Sequence, residues 1–324
     1  MRSGLASALA IALSAMPLAC LASALDQDAL VRELQSRVVV GWPGAQVAKY
    51  SGLGVQTKFG GYVVFGDQAK LGRALCAQKP KGAWFLMDHE GGAVNRIDSA
   101  LGPAKAAPKD FSAYSAQWAQ DASRIASMCV DAVLGPMVDT TMDGYGRSFT
   151  PDFATNWTYA KPLMRIAGER GVQSVLKHYP GSVGRCRRVG QSKEVFSCDP
   201  DLAAVKAMWS GVDWSGVKYV MTSFNRFDAI AGGYGFVNKP LMSALRKDLG
   251  FSGVTITDSI TELPAIESNE KLQVDLFRYN DMVMILDDGL ALEVVERVAQ
   301  EMVRDPQLLR GHRLSLERIA AAAK

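Results

Sequence analysis

The feature of this chain that most constrains its fold is a set of eight short apolar runs, separated by longer segments with a helix-like pattern. The runs are residues 38–40, 62–65, 84–87, 132–134, 174–176, 219–221, 254–256 and 282–285. Short strands that alternate with helices are typical of a parallel sheet. Eight of them in 324 residues favour an α/β fold with a closed, TIM-like (β/α)8 barrel. No G-x-G-x-x-G pattern follows the first run, which argues against a dinucleotide-binding fold.

Polar residues follow three of these predicted strands. Asp258 follows one, Lys177 and His178 close another, and Asp88 follows a third. Active sites of α/β barrels lie at the carboxyl ends of the strands, so these residues predict one site. Asp258 could act as a nucleophile or general base, or could simply be the N-cap of the next helix. Strict alternation would point Lys177 and His178 to opposite faces, unless the strand relaxes at its end.

Two loops after predicted strands, residues 139–156 and 181–200, should lie over the catalytic face. Loops longer than about a dozen residues are often functional. Arg147, in the first loop, could bind a ligand oxygen through its planar guanidinium, or could only hold its own loop in place. Asp88 and Arg96 could likewise bind a ligand, or form an internal ion pair of an ordinary turn.

Residues 1–24 have the pattern of an export signal that is removed from the mature chain. A basic residue precedes a small and apolar run over residues 4–21, and residues 22–24 (Ala-Ser-Ala) match the small-x-small pattern of a cleavage site. Cleavage there leaves a single barrel domain, residues 25–324, in the periplasm or outside the cell. A membrane anchor and lipid attachment at Cys20 are the alternatives. No later run is long and apolar enough to predict a membrane helix.

An exported chain would use its cysteines as disulfides. Four cysteines follow the predicted signal: Cys76, Cys129, Cys186 and Cys198. Four cysteines allow two disulfides in three connectivities. The pair Cys186–Cys198 is favoured because both residues lie in one loop-like segment rich in Gly, Ser and Arg. No C-x-x-C pair exists and the histidines are scattered, so we expect no metal and no organic cofactor.

The net charge and the carboxyl-terminal segment of the chain give two further predictions. The net charge is only +3 and no long basic run occurs, so nucleic acid is not an expected partner. Residues 290–324 predict two charged amphipathic helices that break near Asp305 and Pro306. The sequence leaves the oligomeric state open.

Four blocks of the chain, in the same order and at similar spacing, resemble motifs of glycoside hydrolase family 3. Residues 88–96 (Asp-His-Glu-Gly-Gly-Ala-Val-Asn-Arg) resemble D-Q-E-G-G-x-V-x-R, and residues 146–149 (Gly-Arg-Ser-Phe) resemble G-R-S-F. Residues 177–181 (Lys-His-Tyr-Pro-Gly) resemble K-H-F-P-G, and residues 257–259 (Thr-Asp-Ser) resemble the S/T-D-D nucleophile block. The length is similar to that of the single-domain bacterial β-N-acetylhexosaminidase branch.

The resemblance implies a TIM-like barrel and retaining hydrolysis of a terminal β-linked N-acetylhexosamine. Asp258 would be the nucleophile that forms a glycosyl-enzyme. The sugar-binding residues would be Asp88, Arg96, Arg147, Lys177 and His178. The implied partner is a carbohydrate, such as a peptidoglycan fragment or a chito-oligosaccharide.

The chain departs from the resemblance at the acid/base. The hexosaminidase branch follows K-H-F-P-G with H-G-x-T-x-x-D-S-H, whose Asp–His pair is the acid/base. Here residues 182–198 contain no histidine, and their one carboxylic acid is Glu194. Glu194 could replace the histidine, since most glycosidases use a carboxylic acid. It could equally be a solvated loop residue beside Lys193.

Two other interpretations of this departure stay open. A phosphate drawn by Arg185, Arg187 and Arg188 could be the acceptor, which would make the enzyme a phosphorylase. Alternatively, the protein could bind carbohydrate or peptidoglycan without catalysis. The three arginines could also be no more than a solvated surface.

Overall fold

Parallel strands form the centre of the fold in a computed structural model that describes residues 26–42, 59–66, 70, 72–92, 94–97, 101, 110–140, 147–182, 185–189 and 195–323. The strands are β1 (Val38–Gly41), β2 (Gly61–Val64), β3 (Trp84–Met87), β4 (Ala132–Val133), β5 (Gln173–Tyr179), β6 (Cys186–Arg188), β7 (Phe196–Cys198), β8 (Tyr219–Thr222), β9 (Val254–Thr257) and β10 (Val283–Met284). Eight of them form one sheet in the order β10-β1-β2-β3-β4-β5-β8-β9. A parallel bridge between Ile256 and Met282 joins the two edges. The predicted TIM-like barrel is confirmed, and each of the eight apolar runs overlaps a strand.

Successive side chains of a strand face opposite sides of the barrel wall. Val39 of β1 contacts an inner cluster that includes Val63 and Leu86, whereas Val38 and Val40 belong to the outer cluster under the helices. This alternation follows from the two-residue period of a strand. Because both faces are buried, the strands appear in the sequence as continuous apolar runs.

The described part of the chain also contains nine α-helices. They are α1 (Gln27–Gln35), α2 (Phe111–Ser127), α3 (Phe153–Gly168), α4 (Leu202–Trp209), α5 (Lys239–Ser243), α6 (Pro264–Glu267), α7 (Glu270–Tyr279), α8 (Asp288–Arg304) and α9 (Pro306–Ala322). The predicted pair of tail helices is confirmed, and Asp305 separates them because its carboxylate accepts the N–H groups of Gln307 and Leu308 at the start of α9. Within the described ranges, no helix has the length and apolar character needed to cross a bilayer.

Strands β6 and β7 form an antiparallel hairpin outside the barrel wall. Cys186 pairs with Cys198 across this hairpin, and the two form a disulfide. A second disulfide joins Cys76 to Cys129. The favoured pairing of Cys186 with Cys198 is therefore confirmed.

A buried arginine ties β1 to the helices at the amino-terminal end of the barrel. Arg37 precedes β1 and is fully buried. Its guanidinium donates to the backbone oxygens of Asp281 (2.8 Å), Phe277 (2.9 Å) and Asn280 (2.6 Å). Another of its nitrogens lies 2.9 Å from His312 Nδ1. One side chain thus provides the hydrogen-bond donors for backbone oxygens at the end of α7 and in the segment that leads into β10.

The carboxylate of Asp281 fixes the same segment. It accepts hydrogen bonds from Arg246 (2.5 Å), Arg318 (2.8 Å), Ser315 (2.9 Å) and the backbone N–H of Thr255 (2.8 Å). Burial alone would raise the pKa of Asp281, but the two guanidinium groups and the other donors hold it below its ordinary value. The acid therefore stays ionised and links α9 to the start of β9.

Replacing Arg37 with Met should lower the free energy of unfolding by about 3 kcal/mol or more, because three buried carbonyl oxygens lose their donor at about 1–3 kcal/mol each. Denaturant unfolding followed by circular dichroism measures the change. The matched control is Arg304→Met, which removes an exposed arginine at the end of α8. Equal stability of the two variants would contradict the assigned role of Arg37.

Candidate active site

Five polar side chains from four strand ends meet at the carboxyl-terminal mouth of the barrel. Asp88 follows β3, Asp139 lies beyond β4, Lys177 and His178 end β5, and Asp258 follows β9. Lys177 Nζ lies 3.0 Å from Asp88 Oδ1, and His178 contacts both Asp139 and Asp258. The structure thus brings together the three strand ends that carry polar residues in the sequence.

Lys177 lies between two carboxylates. Its Nζ is 3.0 Å from Asp88 Oδ1 and 2.7 Å from Glu90 Oε1, and the side chain is only 3% exposed. Burial alone would lower the pKa of Lys177, but the two carboxylates raise it above its ordinary value. The ammonium group therefore stays charged inside the protein.

Glu90 binds a second cation, Arg147, through both carboxylate oxygens. Arg147 donates from Nε to Oε2 at 3.0 Å and from Nη2 to Oε1 at 2.6 Å. Burial acts to lower the pKa of Arg147, but Glu90 raises it above its ordinary value, with smaller contributions from Asp258 and Asp88. This two-point contact joins the loop that contains Arg147 to the end of β3, and the Arg147 side chain remains 29% exposed.

Asp88 also faces Arg96, at a longer distance. Arg96 Nη2 lies 3.5 Å from Asp88 Oδ2. Burial would raise the pKa of Asp88, but Lys177 and Arg96 keep it below its ordinary value. Arg96 Nε is buried and has no hydrogen-bond partner among the described residues. Asp88 is therefore a fixed carboxylate, and Arg96 retains a donor for a further acceptor.

Asp139 holds the imidazole of His178 in one orientation. Its Oδ1 accepts the backbone N–H of His178 at 2.8 Å, and its Oδ2 lies 2.8 Å from His178 Nδ1. Gly181 has a φ of +81°, and a Cβ at that position would lie 3.0 Å from Asp139 Oδ1. A glycine is needed there on both grounds. The ring of His178 consequently presents Nε2 towards Asp258.

The end of β5 is irregular where Lys177 and His178 lie. Its pairing register with β8 shifts between Lys177 and Tyr179. Both side chains contact carboxylates of the same site. The alternative in which the strand relaxes at its end is the correct one.

Asp258 lies at the centre of the mouth. Its Oδ2 is 3.5 Å from His178 Nε2, and its Oδ1 accepts the backbone N–H of Ser259 at 2.8 Å. The side chain is 22% exposed, so one part of it faces the opening. Burial raises the pKa of Asp258 above its ordinary value, although His178, Lys177 and Arg147 act in the opposite direction.

Sequence reasoning missed two residues of this cluster, Glu90 and Asp139. Glu90 follows Asp88 by two positions, and this spacing on an extended segment places both carboxylates on one side. Asp139 follows the buried residues Met137 and Val138, just as Asp258 follows β9. In both cases a carboxylate follows an apolar run, which is the same pattern that marks Asp88 and Asp258.

All three histidines of the chain lie in the described residues. His89 is buried 3.3 Å from Asp121 and stacks on Trp118. His312 belongs to the polar network at the opposite end of the barrel. His178 is thus the single histidine at the mouth, and no second histidine exists to pair with it.

Glu194, the other predicted catalytic residue, lies outside the described residues. The neighbouring Asp199 ends the β6–β7 hairpin, where it is exposed and donates its backbone N–H to Arg185. Within the described ranges, no group of three or more His, Cys, Asp or Glu residues has the arrangement of a metal site.

Known proteins of similar sequence and fold identify the family of this chain. Residues 73–301 match the Glycosyl hydrolase family 3 N terminal domain. A protein of Xanthomonas campestris described as Beta-hexosaminidase is 24% identical over 262 residues, which are 74% of this chain and 79% of that protein. The β-N-acetylhexosaminidase structure from Beutenbergia cavernae has a TM-score of 0.74 at 20% identity and covers 91% of this chain and 98% of its own. LpqI of M tuberculosis has a TM-score of 0.76 at 19% identity, and the match covers 95% of this chain and 96% of LpqI. The structural likenesses show the same fold.

Replacing Asp258 with Asn should raise the melting temperature at neutral pH. Because the pKa of Asp258 is raised in the folded protein, the folded state binds more protons than the unfolded state just above the ordinary value of 3.8, and stability falls as pH rises through the folded pKa. Asparagine does not ionise, so the variant avoids this loss. Thermal unfolding at several pH values measures the gain, which should shrink as the pH approaches 3.8.

The control for this measurement is Asp228→Asn. Ser197 and Arg226 hold the pKa of the exposed Asp228 below its ordinary value, so its substitution should have the opposite sign at neutral pH. A melting temperature for Asp258→Asn at or below that of the wild type at neutral pH would contradict the assignment of a raised pKa to Asp258.

Proposed function

This chain belongs to glycoside hydrolase family 3 and is a glycosidase, and we propose that it removes terminal β-linked N-acetylhexosamine with retention of the anomeric configuration. One observation carries the proposal: the carboxylate of Asp258 lies at the mouth of the barrel, beside fixed cations and partly open to solvent. The relative named Beta-hexosaminidase supports the sugar class. We propose peptidoglycan fragments and chito-oligosaccharides as its substrates.

Asp258 acts as the nucleophile in this mechanism. Its carboxylate oxygen forms a bond to the anomeric carbon while the bond from that carbon to the leaving oxygen breaks, and the leaving oxygen takes the electron pair and a proton. Water then attacks the anomeric carbon, loses a proton, and releases Asp258 as a carboxylate. Two inversions at one carbon give retention.

The ion network beside Asp258 supplies the groups that bind the sugar. Asp88 accepts hydrogen bonds from sugar hydroxyls, whereas Arg96, Arg147, Lys177 and His178 donate to hydroxyl oxygens. Because Lys177 and Arg147 are already held by carboxylates, they do not reorganise when the sugar binds. Preoriented donors of this kind are the largest source of transition-state stabilisation in many enzymes.

His178 is badly placed to be the acid/base. Its Nε2 lies 3.5 Å from Asp258 Oδ2, whereas the two catalytic groups of a retaining glycosidase stand about 5–5.5 Å apart, on opposite sides of the scissile bond. His178 therefore lies beside the nucleophile rather than across the sugar from it. We assign the acid/base to Glu194, the one carboxylic acid between Ser182 and Cys198.

We also propose that the protein is exported and acts in the periplasm or outside the cell. Residues 1–24 have the pattern of a cleaved signal, and the two disulfides are typical of proteins from oxidising compartments. A secreted glycosyl hydrolase of Arthroderma benhamiae is 28% identical over 193 residues, 53% of this chain and 54% of that protein. Mass analysis of the mature protein tests this proposal, because cleavage after Ala24 predicts an amino-terminal Leu25.

Purified mature protein should turn over two aryl β-N-acetylglucosaminides, one with an activated leaving group and one without. Asp258→Asn should abolish turnover of both while sugar binding stays measurable by calorimetry. Full activity in that variant would contradict the role of Asp258 as the nucleophile. Sugar binding by the wild type without turnover of either glycoside would instead show a carbohydrate-binding protein.

Replacing Glu194 with Gln should slow the glycoside with the poor leaving group by about 10²–10⁴-fold and the activated glycoside much less in its first step, because only the poor leaving group needs a proton. The kcat/KM values of the two substrates measure the difference, because kcat/KM reports the first step and not the later hydrolysis of the glycosyl-enzyme. The control is Glu296→Gln, an exposed acid on α8. Equal rates in the two variants would show that another group is the acid/base.

A further inference from the structure

A short hairpin with three arginines stands on the catalytic face, where the chain leaves β5. We define the arginine hairpin as residues 185–189 and 195–198, which include β6 and β7. The hairpin follows Ser182 in the chain, and Ser182 itself lies four positions after His178. The backbone oxygen of Ser182 accepts a hydrogen bond from Thr140 at 2.5 Å, next to Asp139. The hairpin thus begins beside the site and at the carboxyl ends of the strands.

The loop after β8 fixes the arginine hairpin in position. Arg226 donates its backbone N–H to the oxygen of Phe196 at 2.7 Å, and its own oxygen accepts the N–H of Cys198 at 2.8 Å. The side chain of Asn225 accepts the N–H of Phe196 at 3.1 Å. The disulfide between Cys186 and Cys198 closes the other side. Both loops rise from the catalytic face, so this small sheet is a fixed part of its rim.

The arginine hairpin gives this rim a positive charge. Arg185, Arg187 and Arg188 are all exposed. Residues 185–189 and 195–198 contain three basic residues and no acidic residue. Such a segment attracts anions at the rim of the site.

Arg226 adds a further donor at the base of the hairpin. Its guanidinium pairs with Asp228 at 3.0 Å, and Asp228 also accepts from Ser197. Arg226 Nε is buried and has no hydrogen-bond partner among the described residues. The Arg226 side chain is 40% exposed, so this guanidinium lies at the surface of the same rim.

We propose that the arginine hairpin binds an oxyanion on the leaving-group side of the substrate, so that the enzyme prefers glycosides whose aglycone carries a carboxylate or phosphate group. The inference rests on the proposed function, because it assigns the aglycone side of the same site. Arginine suits this role since its planar fork donates two parallel hydrogen bonds to a carboxylate or phosphate. The sugar itself is neutral, so the anion belongs to the aglycone and not to the N-acetylhexosamine.

The test compares 4-carboxyphenyl β-N-acetylglucosaminide with its methyl ester. The measured quantity is the ratio of the two kcat/KM values in each protein, because intrinsic differences between the leaving groups cancel when proteins are compared. The variant Arg185→Gln/Arg187→Gln/Arg188→Gln should lower this ratio about tenfold, as expected for three exposed ion pairs. A ratio equal to that of the wild type would overturn the proposal.

The control variant is Arg124→Gln/Arg304→Gln/Arg310→Gln, which removes the same charge from exposed positions on α2, α8 and α9. Its ratio should equal that of the wild type. A second readout needs no variant: raising the salt from about 0.05 M to about 0.5 M should lower the wild-type ratio, because salt screens exposed charges. A ratio that does not respond to salt would count against the arginine hairpin even where the variant folds poorly.

Inorganic phosphate distinguishes the two sources of the oxyanion. If phosphate inhibits turnover of the carboxyphenyl glycoside and no new product forms, the hairpin is assigned to a carboxylate-bearing aglycone. Release of the sugar as a 1-phosphate assigns it to phosphate: the phosphate oxygen bonds to the anomeric carbon, and the bond to Asp258 breaks. No effect of phosphate on the carboxyphenyl glycoside would contradict a shared oxyanion site.

Failure of the proposed function is distinguishable from failure of this inference. If neither glycoside is turned over, calorimetry with 4-hydroxybenzoate and its methyl ester tests whether the arginine hairpin binds an oxyanion. Tighter binding of the carboxylate, lost in the hairpin variant and kept in the control, supports an oxyanion site without catalysis. Equal binding of the two compounds overturns it.

Discussion

The buried ammonium group of Lys177 holds the mouth of the barrel together. It lies on β5 and contacts two carboxylates from the end of β3, across the intervening strand β4. Without this cation, only Arg96 and Arg147 would offset the charges of Asp88 and Glu90, which lie side by side at the end of β3. The charged form of the site therefore depends on the sheet, in which the ends of β3 and β5 lie within reach of one side chain.

The sequence predicted the strands because both faces of the barrel wall are apolar, which leaves short continuous apolar runs in the sequence. It predicted the Cys186–Cys198 disulfide from the loop-like composition between the two cysteines. It did not predict Glu90 or Asp139, because each acts by holding another site residue, Lys177 and Arg147 in one case and His178 in the other. Such dependence is a property of three-dimensional contact, and spacing in the sequence gives it no distinct pattern.

The orientation of His178 shows the same limit. Alternation along a strand opposes a shared face for Lys177 and His178, and the register shift at the end of β5 permits it. A local irregularity of one residue decides whether the histidine reaches Asp258. Irregularities of this kind depend on the neighbouring strand and on Asp139, which lies 38 residues before Lys177 in the sequence.

The arginine hairpin also bears on the histidine that this chain lacks at its acid/base loop. A general acid assists catalysis by neutralising the negative charge that develops on the leaving oxygen, and its loss costs about 10²–10⁴-fold in rate. Guanidinium groups near that oxygen stabilise the same charge by electrostatics alone, without a proton transfer. A leaving group bound at the hairpin would depend less on the pKa of its acid. On this proposal, the positive rim would act together with the acid/base that we assign to Glu194.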